Sequence, residues 1–178
     1  MNWQIGGPAA FNGDWHVDIV WRNYATGADA IWLMDGVVRT SAVALPSSPD
    51  NNWRIEGCAD VSADGKIDIV WRHYVTGAVA VWVMNGTAFS SAFSLPGVGD
   101  PNWHIGALGD YDGDGHEYLV WRHYSPGANP DGPLIGLGPT VALGGRRVPP
   151  GVGGIGGAQE RGEIRADATP GQGACFTF

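Results

Sequence analysis

The sequence predicts an all-β fold made of four-stranded antiparallel blades, two complete and one partial. Three observations predict it. The 178-residue chain repeats itself every fifty residues: Trp3, Trp53 and Trp103 keep that step, as do Trp21-Arg22, Trp71-Arg72 and Trp121-Arg122, without gaps. Within each copy, short runs of β-branched and aromatic residues alternate with Gly- and Asp-rich turns. No segment sustains a helical apolar period between caps, so almost no helix is expected.

The strands follow in order. The first is W-x-I-x-G, as in Trp53 to Gly57. An Asp-rich turn leads into the second, Asp68 to Tyr74, and Thr76-Gly77 turns the chain into the third, Ala78 to Met84. Asn85-Gly86, with Asp35-Gly36 in the first copy, predicts a type I′ hairpin, which needs positive φ at both positions. The fourth strand runs from about Thr87 to Leu95, where Pro96 ends it. Four antiparallel strands in fifty residues is the dimension of a propeller blade. A β-sandwich of tandem sheets would use the same strands. A single blade cannot cover both its faces, so neighbouring blades have to stack. Ala28 and Ala30 beside Trp32, and Ala78 and Ala80 beside Trp82, suit tightly packed sheets. The expected organisation is blade 1 over 1–50, blade 2 over 51–100 and a partial blade over 101–128.

After Ala128 the pattern stops. All nine Trp and all five Tyr precede residue 129, and the last fifty residues hold thirteen Gly and six Pro. Such a segment buries too little apolar surface to offset chain entropy, so 129–178 is expected to be a disordered, low-complexity tail. Two origins fit it: a genuine Gly/Pro-rich extension, or out-of-frame translation of a GC-rich repeat gene. Residues 1–128 carry six Lys or Arg against fourteen Asp or Glu, which is the whole net charge of −8. That excess of acid argues against a nucleic-acid partner. No apolar run approaches the roughly 18 residues of a membrane helix. No signal peptide opens the chain. Cys58 and Cys175 form no metal or redox spacing, and Cys58 reads as a buried free thiol.

The Asp-rich turn carries the candidate chemistry. In the second copy it runs from Asp60 to Asp68, with oxygen side chains Asp60, Ser62, Asp64 and Asp68 at loop positions 1, 3, 5 and 9, and Gly65 at position 6. Lys66 at position 7 offers its backbone carbonyl. Alternate inward oxygens around a glycine bend are how a short loop wraps a hard cation. An EF-hand is excluded, because its position 12 must be a carboxylate and here that residue is Trp71. The third copy has Asp110, Asp112 and Asp114 but Tyr118 in place of the closing acid, with Glu117 one place off. The first keeps Asn12, Asp14 and Asp18 but has Ala10 and Trp15 at positions 1 and 6, and that Trp15 is expected to be exposed. Calcium affinity is therefore expected to fall from the second loop to the third to the first. Ordinary Asp/Gly turns would be the bland alternative.

Taken together, W-x-I-x-G, D-x-[DNS]-x-D-G-x-x-D-I-V-W-R and T-G-A-x-A-[IV]-W-x-M-[DN]-G resemble the FG-GAP or VCBS-type repeats of bacterial surface and secreted proteins, relatives of the integrin α-chain repeats. The resemblance covers 1–128. It implies a β-propeller, commonly seven-bladed, with Ca2+ in inter-strand loops. The ligands it implies are Asp60, Ser62, Asp64, the Lys66 carbonyl and Asp68, with Asp110, Asp112 and Asp114 in a partial site. It also implies an extracellular or cell-surface setting and a non-catalytic role in adhesion, with a glycan or surface-protein ligand. Too few blades are present to close a ring of seven, so a fragment is expected, one that associates through open blade edges. The alternatives are an accessory region of a secreted hydrolase, or a truncated gene product without function. No G-x-S-x-G or H-E-x-x-H signature occurs, and no catalytic residue is assigned. Trp21, Trp71 and Trp121 are expected in the core. Arg22, Arg72 and Arg122 are expected to pair with carboxylates or stack on aromatic rings.

Overall fold

The computed structural model describes residues 2–111, 113 and 115–124, and the backbone of three strands beyond them. The first sheet holds β1 (Trp3–Ala9), β2 (Asp18–Asn23), β3 (Asp29–Asp35) and β4 (Val38–Leu45). The second repeats it with β5 (Trp53–Ala59), β6 (Asp68–His73), β7 (Val79–Asn85) and β8 (Ala88–Leu95). Each is antiparallel with its strands in sequence order. The third sheet pairs β9 (Trp103–Gly109), β10 (Tyr118–His123) and β11 (Leu134–Pro139), and a short pair joins β12 (Ala166–Asp167) to β13 (Cys175–Phe176). The third sheet thus draws its third strand from the stretch expected as a tail. The short β12–β13 pair lies in the same stretch; the remainder of 129–178, and the disorder expected of it, lie outside the described residues. Among the described residues all regular structure is β, as predicted.

The hairpin between the third and fourth strands departs from expectation by one residue. Asp35 pairs with Val38 and Asn85 with Ala88, which leaves Gly36-Val37 and Gly86-Thr87 as the turns. Only the glycines have positive φ, 57° and 63°, so Asp35 and Asn85 stay on their strands and no I′ turn forms. The cause is a bulge between Leu33 and Met34, repeated at Val83 and Met84, which shifts the register. Glycine at the first central position is the requirement of a type II′ turn.

The hydrophobic cores lie between sheets, not within them. One joins Phe11, Val20, Ile31 and Leu45 of the first blade to Ile55, Ile69, Trp71 and Met84 of the second. The other joins Val61, Val70, Val81 and Leu95 of the second blade to Ile105, Leu119 and Trp121 of the third. The strand alternation explains this: side chains of successive residues face opposite sides. In β6, Ile69 and Trp71 therefore point back to the first blade while Val70 points on to the third. Every residue of β6 is buried, whereas β2 alternates between buried and half-buried.

Two arginines clasp the blades together. Arg22 is buried, donates from Nη1 to both carboxylate oxygens of Asp29 at 3.0 Å, and donates from Nη2 to the carbonyls of Ser48 and Asp50 at 3.0 Å. Its guanidinium lies 4.9 Å from the ring of Trp71, in the next blade. Arg72 repeats the arrangement on the Val98 and Asp100 carbonyls and lies 5.0 Å from Trp121. Position 79 is Val where position 29 is Asp, so Arg72 also uses the Gly77 carbonyl, at 3.4 Å. The linker acids do further work: Asp50 bonds the His73 ring at 2.9 Å and Asp100 the His123 ring at 3.1 Å.

A ladder of rings and cations also crosses the blades. Arg54 lies 5.6 Å from the Tyr24 ring and 4.7 Å from that of Tyr74, and His104 stacks edge-on between Tyr74 and Tyr124 at 5.2 and 4.9 Å. The Tyr74 hydroxyl meets His104 Nδ1 at 2.9 Å. Burial first, then the positive charges of Arg72 and Arg54, hold the His104 imidazole below its ordinary pKa. A depressed histidine is stabilising while neutral. Its contribution is present above the unfolded value of about 6.5 and is lost as pH falls through 6.5 toward the folded pKa. The expected result is that wild type loses more melting temperature than His104→Gln as pH is lowered across that window. Equal losses would contradict it. Gln occupies this position naturally at Gln4, so the variant tests charge rather than size.

Candidate metal centre

The three Asp-rich loops join the first and second strands of their blades. Each needs two left-handed residues. In the second loop these are Ala63 (φ 56°) and Gly65 (φ 81°), in the first Gly13 (75°) and Trp15 (67°), and in the third Gly113 (77°) and Gly115 (83°). The sequence pattern showed the second position only. The first was missed because Ala63 does not advertise a positive φ. A non-glycine residue there costs about 1–2 kcal/mol, so the third loop, with two glycines, is the least strained. Trp15 projects into solvent at 93 % exposure, as expected of a large residue placed on a turn.

In the second loop, Asp60 cradles the bend. Its Oδ1 accepts from the Asp64 N–H at 3.0 Å and its Oδ2 from the Gly65 N–H at 2.8 Å. Asp64 Oδ1 accepts from the Lys66 N–H at 2.9 Å. Asp110 cradles the third loop in a similar way, accepting from the N–H of Gly113, one place earlier in the loop than Asp64, at 2.8 Å and from that of Gly115 at 2.9 Å. Asp112 and Asp114 lie outside the described residues. The first loop has Ala10 at this place and is organised instead by Asp14, which accepts from the His16 N–H at 2.8 Å.

Asp68 occupies a different environment. It is fully buried, and its oxygens accept from the N–H groups of Ser62 at 2.8 Å and Met84 at 3.0 Å. Desolvation raises its pKa, with the Met84 and Ser62 N–H groups pulling the other way. Asp18 makes comparable bonds in the loop that lacks Asp60's counterpart, accepting from the N–H of Met34 and from that of Phe11, one place earlier in the loop than Ser62. This acid is therefore a staple between loop and third strand in both blades.

Among the described residues no three His, Cys, Asp or Glu side chains converge as a metal-binding group. The donor chemistry nevertheless suits a hard cation. Asp60, Ser62 and Asp64 are all oxygen donors, each carboxylate oxygen keeps a second lone pair beside its N–H bond, and Ser62 Oγ is buried without a partner at hydrogen-bond geometry. Glu117, set aside in the sequence because it falls one place off the pattern, belongs to the same electrostatic neighbourhood. Burial first, then the charges of Asp110 and Asp60, raise its pKa, so the carboxylates of the second and third loops sense one another. Cys58 carries a free thiol, and burial pushes its pKa up to about 12, which removes it from metal or redox chemistry.

A search of curated proteins returned no match, nor did one of solved structures. A family model described as an FG-GAP-like repeat matches residues 60–121, a span that opens at Asp60 and takes in both Asp60-type cradles. The four-stranded antiparallel blades stacked face to face and this match over residues 60–121 are consistent with an FG-GAP-type repeat protein.

Proposed function

We propose that the chain is a non-catalytic, calcium-stabilised binding module of an extracellular or cell-surface protein, with a glycan or surface-protein ligand. The observation that carries this reading is the FG-GAP-like match across residues 60–121, which contains the second and third Asp-rich loops. Such repeats are generally non-enzymatic and typical of extracellular proteins. Among the described residues no helix is long and apolar enough to cross a membrane. In this reading Asp60, Ser62, Asp64 and the Lys66 carbonyl hold Ca2+ over the staple Asp68, and Asp110, Asp112 and Asp114 hold a second ion more weakly. Bound calcium would neutralise the carboxylates that Asp60, Asp64, Asp110 and Glu117 bring to neighbouring loops. The protein's own part is to pre-shape the loop: the Asp60 cradle fixes the bend and Asp68 ties it to β7.

Thermal melting with and without calcium tests the proposal. Extracellular sites bind at about 10⁻⁴–10⁻³ M, so 1 mM calcium is expected to add about 0.4–1.4 kcal/mol by mass action. Asp64→Ala should remove most of the rise, leaving the smaller part that the third loop supplies. No rise in wild type, or an undiminished rise in Asp64→Ala, would refute the metal role. Calcium-dependent retention on a glycan array would support the binding role, and turnover of a glycoside would overturn the non-catalytic part.

A further inference from the structure

The first Asp-rich loop departs from its two aligned copies in a direction that neither packing nor a cation accounts for. Its position 1 is Ala10, which brings no side-chain oxygen, and its position 6 is Trp15 where the others carry Gly65 and Gly115. Trp15 keeps the left-handed backbone of those glycines, at φ 67°, which a residue bearing a Cβ disfavours. Its side chain stands in solvent, so burial returns nothing for that strain. The exposure does not depend on what stands before the first blade. The aligned tip of the second blade, residues 63–66, is exposed as well, although that blade packs against a sheet on each side. A large aromatic residue held in a strained, solvent-facing position is the kind of outlier that marks a contact surface.

Polar groups flank it in the same loop. Asp14 accepts from the His16 N–H at 2.8 Å and from the Asn12 side-chain amide at 2.8 Å. These bonds, that of His16 first, hold its carboxyl below the ordinary pKa, as an ionised acceptor. His16 sets its Nδ1 3.6 Å from Asp35 Oδ1, which brings the loop beside the hairpin between β3 and β4. Asn12, Asp14, His16 and Asp35 are all exposed. We propose that Trp15 is a stacking platform for a neutral saccharide, with Asp14 and Asp35 accepting from the sugar hydroxyls. The site rests on the glycan-ligand reading of the chain and gives that ligand a place. The C–H face of a pyranose ring, polarised by its oxygens, is attracted to the negative face of an indole. Each carboxylate keeps lone pairs for hydroxyl donors. An anionic sugar, a nucleic acid or an anionic lipid would instead meet Asp14, Asp35 and a chain of net charge −8 as like charge.

Indole N–H resonances of the full chain test this, the Trp15 signal being the one missing from the spectrum of Trp15→Gly. That variant restores the turn residue of the other two loops, so it is expected to fold and to melt higher than wild type. A panel of neutral oligosaccharides built from hexoses, deoxyhexoses and N-acetylhexosamines is titrated to about 10 mM, where a site of millimolar Kd is largely occupied. At least one sugar is expected to shift the Trp15 signal while leaving those of the buried Trp71 and Trp121 in place. Trp15→Gly should lose an order of magnitude or more in affinity for it, and Asp35→Asn should weaken it several-fold. A sugar that binds wild type and Trp15→Gly equally overturns the site and leaves the glycan reading standing. Silence from the whole panel overturns the site, and no retention on an array that includes charged glycans overturns the reading with it. Trp15→Gly melting below wild type would show that the indole supports the fold. A Trp15 signal that answers only to phosphatidylcholine vesicles would make it, with the exposed Val17 and Val37, a lipid-facing surface. Either result overturns the proposal.

Discussion

Replacing Arg22 with leucine is expected to destabilise the protein by about 3–5 kcal/mol, the range for removing one partner of a buried ion pair. The guanidinium satisfies Asp29 and two linker carbonyls and covers Trp71. Without it the Asp29 carboxyl is left in a site where desolvation, outweighing the pull of Arg22, already raises its pKa to about 6. The second blade supplies an internal control, because Arg72 is buried with Val79 where Arg22 has Asp29. The Asp29→Val variant should therefore lose much less than Arg22→Leu, and adding it to Arg22→Leu should recover part of the loss. Chemical denaturation gives the three differences. A loss below about 1 kcal/mol for Arg22→Leu, the scale of an exposed ion pair, would mean that the clasp is not what joins the blades.

Gly77→Ala should be at least as damaging, at about 4 kcal/mol or more, an exceptional range that strain at a special backbone site combined with overpacking can reach. Two penalties coincide. Gly77 has φ +73°, and its missing Cβ leaves the space that the Val98 carbonyl oxygen fills. That carbonyl is also an acceptor for Arg72, so displacing it loosens the clasp as well. Gly27 stands in the same relation to the Ser48 carbonyl. Gly36 separates the two penalties: φ is +57° but nothing lies within 4 Å of its would-be Cβ. Its alanine variant should cost only the left-handed backbone term of about 1–2 kcal/mol. Equal losses for Gly77→Ala and Gly36→Ala in denaturant melts would show that the close approach of the linker carries no weight.

The period and the alternation of residues were enough to place the strands of the first two blades to within a residue or two, because both are local properties of the chain, whereas β11, β12 and β13 fall in the stretch read as a tail. The arginines were legible as partners of carboxylates or aromatic rings, but the ring that each one meets belongs to the following blade, a long-range fact. Trp21 was expected in the core with Trp71 and Trp121. It is only half-buried, because alternation along β2 turns it away from the core that Val20 shares with the second blade. The hairpin glycines were seen and their turn misassigned, because the bulge at Leu33 and Val83 has no composition of its own. In the candidate site, the cradling role of Asp60 and Asp110 matches their loop positions. The spacing of acids in sequence could not reveal that Asp68 faces inward as a staple.

The placement of the cores has a consequence for how such a chain can lengthen or shorten. Each core belongs to a joint between sheets, so the elementary unit of stability is the junction rather than the fifty-residue repeat. A nearest-neighbour description follows, in which adding a blade adds one junction and removing an inner blade removes two while creating one. Growth by whole repeats preserves every junction. An insertion of an odd number of residues inside a strand would turn its side chains to the wrong face in both flanking junctions at once, which favours length changes in the turns and by multiples of the period.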